Sequence, residues 1–96
     1  MPVEKNFHAI ISGRVQGVGF RYFVQGKANG LDITGWVRNR WDGTVEVMAQ
    51  GEKNNLESFL SLIKRGPSGA NVTNLNVEWL ESSDEFTEFK VRSTSY

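Results

Sequence analysis

The spacing of apolar residues changes repeatedly along this chain of 96 residues, and this feature constrains its fold more than any other. Residues 7–12 are rich in β-branched and aromatic side chains, and residues 44–50 alternate with a period of two, as strands do. Elsewhere, apolar residues return at spacings of three and four, which indicates helices. The clearest such stripe consists of Leu56, Phe59, Leu60 and Ile63. Strands and helices therefore follow one another along the chain.

These patterns divide the chain into six elements and allow a seventh. The predicted strands span residues 7–12, 33–39, 44–50 and 71–80, and the predicted helices span residues 20–30 and the segment between Gly51 and Gly66. Asp42 and Gly43 form a turn signal that joins the second and third strands as a hairpin. Residues 82–85 are predicted to form a turn, after which residues 86–92 allow a short fifth strand.

The resulting β-α-β-β-α-β order predicts an α+β protein with the ferredoxin-like split βαβ sandwich, in which an antiparallel sheet carries two helices on one face. We expect residues 1–96 to form a single domain of this kind. In this topology the first two strands are parallel and the third lies between them, so their C-terminal ends share one edge of the sheet. Neighbouring strands lie about 4.8 Å apart, which separates these two ends by roughly 10 Å. The loop after the first strand therefore faces Asn39, the last residue of the second strand, across a gap of small-molecule size.

Charge and composition exclude several kinds of site and partner. Eleven lysine and arginine residues balance eleven aspartate and glutamate residues, and a net charge near zero disfavours nucleic acid or an anionic membrane as partner. The chain contains no cysteine, which excludes disulfides, thiol nucleophiles and thiolate metal sites. His8 is the only histidine, so a histidine-based metal cluster is excluded as well. The first residues contain no long apolar stretch, and we expect a cytoplasmic monomer without a membrane span.

The segment GRVQGVGFR, Gly13–Arg21, places three glycines between the first strand and the first helix. Gly17 and Gly19 permit positive φ angles, so the loop can turn consecutive N–H groups inward as a nest for a phosphate or another tetrahedral anion. The free amides and the positive dipole end of the following helix would add to this site. The common nucleotide-binding patterns do not fit, because no Gly-Lys pair follows and Tyr22 stands where the third glycine of G-x-G-x-x-G belongs. A tight turn without a ligand is the alternative interpretation.

Arg21 and Asn39 are the candidate functional side chains. Arg21 falls in the first turn of the predicted helix, where a cation opposes the helix dipole at a cost of roughly a few tenths of a kcal/mol. A bound anion would make this arginine favourable, because its planar fork matches two phosphoryl oxygens. Asn39 lies beside the loop, and its amide can hold a water molecule without taking up a proton. The alternatives are a solvated or carboxylate-paired Arg21 and an Asn39 that serves only the turn.

Other polar and aromatic residues are weaker candidates. His8 is interpreted as a strand-face residue rather than a general base. Trp41 is interpreted as a partly exposed turn aromatic, with the lining of an acyl-group pocket as the alternative. Arg38 and Arg40 flank Asn39 and are interpreted as solvated charges at the end of a strand, with attraction of anions as the alternative. A group of acidic residues late in the chain is interpreted as a solvated edge rather than a metal site; it comprises Glu78, Glu81, Asp84, Glu85 and Glu88.

Several segments of the sequence together resemble the acylphosphatase family. GRVQGVGFR is followed by GWVRN, then by DGTVEVMAQG, and finally by GPSGANV and VEW, and the resemblance extends from about Phe7 to Arg92. The resemblance implies the ferredoxin-like fold, which agrees with the order of elements. It also implies hydrolysis of small acyl phosphates to a carboxylate and orthophosphate, without metal or organic cofactor.

The resemblance to acylphosphatases further implies roles for individual residues. Arg21 would bind the phosphate of the substrate, and Asn39 would orient the attacking water. Backbone amides of the loop would hold the phosphoryl oxygens; these amides belong to Gln16, Gly17, Val18, Gly19 and Phe20. Orthophosphate, which is the product, would bind at the same place and inhibit.

Two other classes of function are compatible with the sequence. A binding module would capture phosphate or an acyl phosphate without turnover, or would be a detached copy of the acylphosphatase-like domain of larger carbamoyl-transfer maturation proteins. An RNA-binding sheet would use the same split βαβ outline. The third predicted strand, residues 44–50, offers no aromatic residue for base stacking, and this disfavours RNA together with the neutral net charge.

Overall fold

The computed structural model describes residues 4–81 and 86–94, which form five strands and two helices. In chain order they are β1 (Glu4–Arg14), α1 (Phe20–Gly30), β2 (Thr34–Asn39), β3 (Val45–Glu52), α2 (Lys53–Arg65), β4 (Asn71–Glu81) and β5 (Phe89–Val91). The order of the elements is the one that the apolar periodicity predicts.

The five strands form one sheet in the order β4-β1-β3-β2-β5. β1 pairs with β3 and β4, and β2 pairs with β3, all in the antiparallel sense, whereas β2 and β5 are parallel. α1 packs on β2 and β5, α2 packs on β3 and β4, and the helices contact each other, so both cover the same face. The predicted ferredoxin-like sandwich is confirmed, and β5 adds one parallel pair to an otherwise antiparallel sheet.

The hydrophobic core lies between the helices and the covered face of the sheet. Phe7 and Ile11 of β1 are fully buried, and the ring centre of Phe59 in α2 lies 6.1 Å from that of Phe7. Burial of each such large apolar side chain stabilises the fold by about 1.5–3 kcal/mol. The helical stripe of the sequence supplies Leu56 and Ile63 to the same core, together with Phe59. The α2 stripe thus packs on the half of the sheet that contains β3 and β4.

The packing of α1 aims its N-terminus at the edge of the sheet where β1 ends. Phe20, Val24 and Ala28 recur every fourth residue and are buried, so one apolar face of α1 lies on the sheet. At the other end of α1, the N–H of Leu31 donates to the carbonyl oxygen of Ala28 at 3.1 Å and closes the last turn. The buried Phe20 holds the first turn in place directly after the glycine loop.

The opposite, open face of the sheet carries a cluster of paired charges. The Nε2 atom of His8 donates to Oε2 of Glu46 at 2.6 Å, and Nε of Arg38 donates to Oε1 of the same carboxylate at 2.7 Å. The guanidinium carbons of Arg38 and Arg92 lie 4.7 and 4.8 Å from the centre of the Trp36 ring. Cation–π contact with two arginines accounts for the burial of this tryptophan on a face without helices.

The ends of β1 and β5 differ most from those predicted, whereas the ends of β2, β3 and β4 lie within two residues of the predicted ones. β1 extends beyond residues 7–12, because Glu4 pairs with β3 and Arg14 pairs with β4 although neither residue is apolar. β5 is shorter than residues 86–92 and is limited to the three residues that pair with β2. Strand ends are set by pairing partners, which apolar periodicity does not report. The turn predicted for residues 82–85 lies outside the described residues.

Candidate active site

The loop between β1 and α1 has the backbone geometry of an anion-binding nest. Gly17 and Gly19 have φ angles of 75° and 74°, whereas Val18 between them has a negative φ. A Cβ atom at either glycine would meet nothing within 4 Å, so the positive φ angle and not a lack of space favours glycine there. Alternation of the sign of φ turns successive N–H groups towards the same side of the chain.

The backbone amides at this point have no protein acceptor among the described residues. No backbone carbonyl there accepts a hydrogen bond from the N–H groups of Gly17 through Tyr22. The first bond of α1 is donated by Phe23 to the carbonyl oxygen of Gly19, at 3.1 Å. The first turn of α1 also lacks an acidic residue, so no carboxylate in it offsets the positive end of the dipole. Loop and helix together present several donors to a negatively charged group.

Arg21 lies in the first turn of α1, as the sequence predicts, and is half-buried. Its Nη1 donates to the backbone carbonyl oxygen of Arg92 at 3.2 Å. Within residues 4–81 and 86–94, no carboxylate forms an ion pair with Arg21. A neutral carbonyl therefore orients the guanidinium and leaves its charge available to an anion.

Asn39 lies at the same edge of the sheet, two strands away from β1. It pairs with Val45 of β3, and Val45 pairs in turn with Ile11 of β1, so one row of residues crosses the three strands. The Oδ1 atom of Asn39 is buried and has no hydrogen-bond partner among the described residues. A buried acceptor left unpaired costs about 1–3 kcal/mol, which a water molecule or a ligand with a proton would offset.

Gln16 and Val18 direct their side chains away from the nest. The Nε2 atom of Gln16 donates to the carbonyl oxygens of Arg40 and Thr44, at 2.8 and 2.9 Å. The half-buried side chain of Val18 packs against the hydrophobic core. At these two positions the backbone, and not the side chain, is the part that faces a ligand in the nest.

A cleft of about 180 Å³ brings the loop, Arg21 and Asn39 together. Its lining consists of Val15, Gly17, Gly19, Phe20, Arg21, Tyr22 and Asn39. A larger groove of about 600 Å³ lies at the far end of the sheet beside Trp79. In that groove Lys5 and Glu81 form an ion pair at 3.9 Å, and the loop amides are distant from it. The smaller cleft is therefore the candidate active site, because it alone combines the free amides with Arg21 and Asn39.

The weaker candidates lie outside this cleft. His8 lies on the open face, bonded to Glu46, and Trp41 is exposed in the turn after β2 without lining the cleft. Asp84 and Glu85 lie outside the described residues. In the part of the chain that the structure describes, no three histidine or acidic residues are placed to hold a metal ion. No helix in that part has the length and apolar character needed to cross a membrane.

Two residues at the site escaped the sequence reasoning. Arg92 holds Arg21 through its carbonyl oxygen although the two are 71 positions apart. Tyr22 lines the cleft and is 66% exposed. Only the topology could have indicated Arg92. It follows β5, which pairs with β2, and β2 ends in Asn39.

Comparison with known proteins finds acylphosphatases among the relatives of this chain. The family model described as Acylphosphatase matches residues 7–91. An acylphosphatase from Salinibacter ruber is 47% identical over 89 residues, which cover 93% of this chain and 94% of that protein. The crystal structure of acylphosphatase from Bacillus subtilis is similar with a TM-score of 0.89 and 42% identity, over 92% of this chain and 98% of that one. A crystal structure of full-length HypF in a phosphate- and nucleotide-bound form has a TM-score of 0.89 at 31% identity, over 99% of this chain but 13% of that one.

Proposed function

The chain belongs to the acylphosphatase family, and we propose that it hydrolyses the carboxyl–phosphate bond of small acyl phosphates to a carboxylate and orthophosphate. The observation that carries this proposal is the meeting of three groups in one cleft. Among the described residues, these groups are loop amides without a backbone acceptor, an arginine without a carboxylate partner, and an asparagine whose Oδ1 has no partner. The amides and the arginine suit a small, doubly charged phosphoryl group, and the acceptor on Asn39 suits a water molecule beside it.

The phosphoryl group binds to the nest and to Arg21. The amides from Gln16 to Phe20 donate to its oxygens, and the guanidinium fork of Arg21 takes two of them. Phosphoryl transfer needs little covalent help from the protein and depends on positioning and on charge stabilisation. Because the carbonyl oxygen of Arg92 already orients Arg21, the charge is in place before the reaction begins.

Asn39 orients the water that attacks the phosphorus. Its unpaired Oδ1 accepts a hydrogen bond from this water, which fixes the direction of a lone pair towards the phosphorus. The amide cannot act as a base, so its contribution is alignment for in-line attack.

The reaction requires no general base from the protein. The described residues that line the cleft include no histidine, lysine or carboxylate. The water oxygen bonds to phosphorus, and the bond from phosphorus to the acyl oxygen breaks with its electron pair, which stays on the carboxylate. The leaving carboxylate is a weak base and needs no acid, and the proton of the water passes to a phosphoryl oxygen. We expect kcat to change little with pH around neutrality. The pH profile of His8→Gln should match that of the wild type.

Orthophosphate has the same three-oxygen face as the substrate, so it competes for the nest as a product inhibitor. Each group in this mechanism comes from one chain, which is compatible with an active monomer. Neither the nest nor Arg21 needs a metal ion or an organic cofactor to hold the phosphoryl oxygens.

The test is hydrolysis of benzoyl phosphate, followed by ultraviolet absorbance in EDTA, with wild type and Arg21→Gln side by side. We expect fast turnover by the wild type and almost none by the folded variant. Arg38→Gln, which removes an arginine from the open face, is the control and keeps its rate. A wild-type rate equal to that of buffer would overturn the proposal, and phosphate binding in the same sample would then favour capture without turnover.

A further inference from the structure

The side chain of Gln16 connects two parts of the site that the sheet itself leaves unconnected. Its Nε2 lies 2.8 Å from the carbonyl oxygen of Arg40 and 2.9 Å from that of Thr44, which are 24 and 28 positions away. One amide group therefore directs both of its hydrogens at a distant turn. We call the turn formed by residues 40–44 the β2–β3 turn.

The two carbonyl oxygens belong to the hydrogen bonds that close this turn. The N–H of Arg40 donates to the carbonyl oxygen of Thr44 at 2.9 Å, and the N–H of Gly43 donates to that of Arg40 at 3.2 Å. Each carbonyl oxygen thus accepts one bond from within the turn and one from Gln16. The amide of Gln16 fixes both ends of the β2–β3 turn, and Asn39 directly precedes it.

The sheet provides no equivalent connection at this point. The last pair between β1 and β3 is Ile11 with Val45, and the last pair between β2 and β3 is Asn39 with the same Val45. Beyond this row, the β1–α1 loop and the β2–β3 turn extend past the ladder. Gln16 is the residue before Gly17, so its side chain joins the start of the nest to the turn that follows Asn39.

We propose that Gln16 is a positioning residue, whose side-chain amide fixes the position of the nest relative to Asn39. This inference rests on the proposed function, because it assigns Gln16 an effect on the attacking water. The physical argument is that water alignment tolerates little error, since a misplacement of about 1 Å costs on the order of 10²-fold in rate. Phosphate binding depends on the nest and Arg21 alone, and so tolerates a shift of the turn.

Gln16→Met is the test variant, because it keeps the length of the side chain and its neutral charge but removes both donors. We expect kcat for benzoyl phosphate to fall about 10- to 100-fold, with less than about a threefold change in the inhibition constant of orthophosphate. In the Asn39→Ala background, the same substitution costs less than about threefold in kcat, because the residue through which it acts is gone.

Gln25→Met is the matched control. Gln25 also ties two elements together by a side-chain amide, since its Nε2 donates to the carbonyl oxygen of Phe89 at 3.2 Å, but it lies outside the cleft. We expect Gln25→Met to lose a similar amount of thermal stability and to keep kcat within about twofold of the wild type. Equal losses of kcat in the two variants would overturn the proposal, as would a loss of phosphate affinity by Gln16→Met that matches its loss of kcat.

Nuclear magnetic resonance provides a readout that does not depend on turnover, and its first part uses the wild type alone. In the wild type, both side-chain amide protons of Gln16 should exchange with solvent more slowly than those of an exposed glutamine. The side-chain amide signal of Asn39 should shift in Gln16→Met and stay in place in Gln25→Met. Fast exchange at Gln16 in the wild type would overturn the inference. Slow exchange in a protein without turnover would overturn the proposed function and leave the connection intact.

Discussion

Two clusters of polar side chains lie on this sheet, and they differ in how completely their groups are paired. On the open face, the carboxylate of Glu46 accepts hydrogen bonds from His8 and Arg38 at 2.6 and 2.7 Å. At the edge, within the described part of the chain, the charge of Arg21 meets only a backbone carbonyl and Oδ1 of Asn39 has no partner. A buried group without a partner costs about 1–3 kcal/mol, so pairing is what stability alone would favour. The open face is therefore built for stability and the edge for a ligand.

The strongest test of this difference between the two clusters is to remove one arginine from each. Arg21→Gln should lower kcat/KM for benzoyl phosphate on the order of 10³-fold, because it removes a preorganised charge from the phosphoryl oxygens. Arg38→Gln should leave kcat/KM within about twofold and lower the midpoint of urea unfolding, because it leaves a bond of Glu46 unmade. Steady-state kinetics and urea titration of both variants check this.

Arg21→Lys sharpens the same test. It keeps the charge but loses the planar fork, and we expect it to recover less than about a tenth of the lost rate. Recovery to the wild-type rate would show that only the charge matters. A large loss of rate in Arg38→Gln would remove the distinction between the two clusters.

Asn39→Ala should produce the next largest effect, a fall in kcat on the order of 10²-fold, since the attacking water loses its alignment. The inhibition constant of orthophosphate should change by less than about threefold, because the nest and Arg21 are intact. Asn76→Ala, on the exposed β4 strand, is the control with wild-type kinetics. Losses of turnover and of phosphate affinity in equal proportion would contradict the assignment of Asn39 to the water.

Glycine substitutions test whether the nest depends on the backbone conformation of its glycines. Gly19→Ala forces a Cβ into a position with φ of 74°, and we expect it to destabilise the fold by about 1–2 kcal/mol and to weaken phosphate binding. Gly26→Ala, in the middle of α1, should stabilise it by about 0.5–1 kcal/mol, because alanine is the better helix former. Thermal unfolding with and without orthophosphate measures both. A gain of stability in Gly19→Ala, like the gain expected in Gly26→Ala, would show that the left-handed conformation at Gly19 is not required.

The apolar periodicity was sufficient to predict the fold because the apolar residues that recur along the elements pack into one core. The stripe at Leu56, Phe59 and Ile63 and the alternation in residues 44–50 each report which side of an element leaves water. The split βαβ order then brings the loop after β1 to the end of β2, and Asn39 and Arg21 do line one cleft. This much follows from local pattern and from the limited number of ways in which such elements pack.

The remaining features depend on contacts between distant polar groups, which have no local pattern. The bond from Arg21 to the carbonyl of Arg92 spans 71 positions, and the bonds from Gln16 span 24 and 28. None of the three acceptors is a side-chain atom, so no residue type marks them in the sequence. The parallel direction of β5 likewise follows from where the chain returns after β4, and not from its own three residues.

The smallest expected effect concerns the paired cluster and its response to acid. Burial raises the pKa of Glu46, but the hydrogen bonds from His8 and Arg38 outweigh it, and the pKa of this carboxyl lies below its ordinary value of 4.5. A carboxyl with a lowered pKa stabilises the fold above that ordinary value, and this stabilisation is lost as the pH falls through the folded-state pKa. The wild type should therefore lose stability as the pH falls from roughly 5 to 3.

Urea unfolding at several pH values measures this loss, and Glu46→Gln should show a smaller decrease over the same range because it has no proton to take up there. Glu57→Gln, which removes an exposed carboxylate of α2, should follow the wild-type curve. Hydrolysis of benzoyl phosphate at neutral pH should be equal in all three proteins, because the open face does not reach the cleft. If Glu46→Gln instead changed kcat as Asn39→Ala does, the paired cluster would be part of the active site, and pairing would no longer distinguish the two regions.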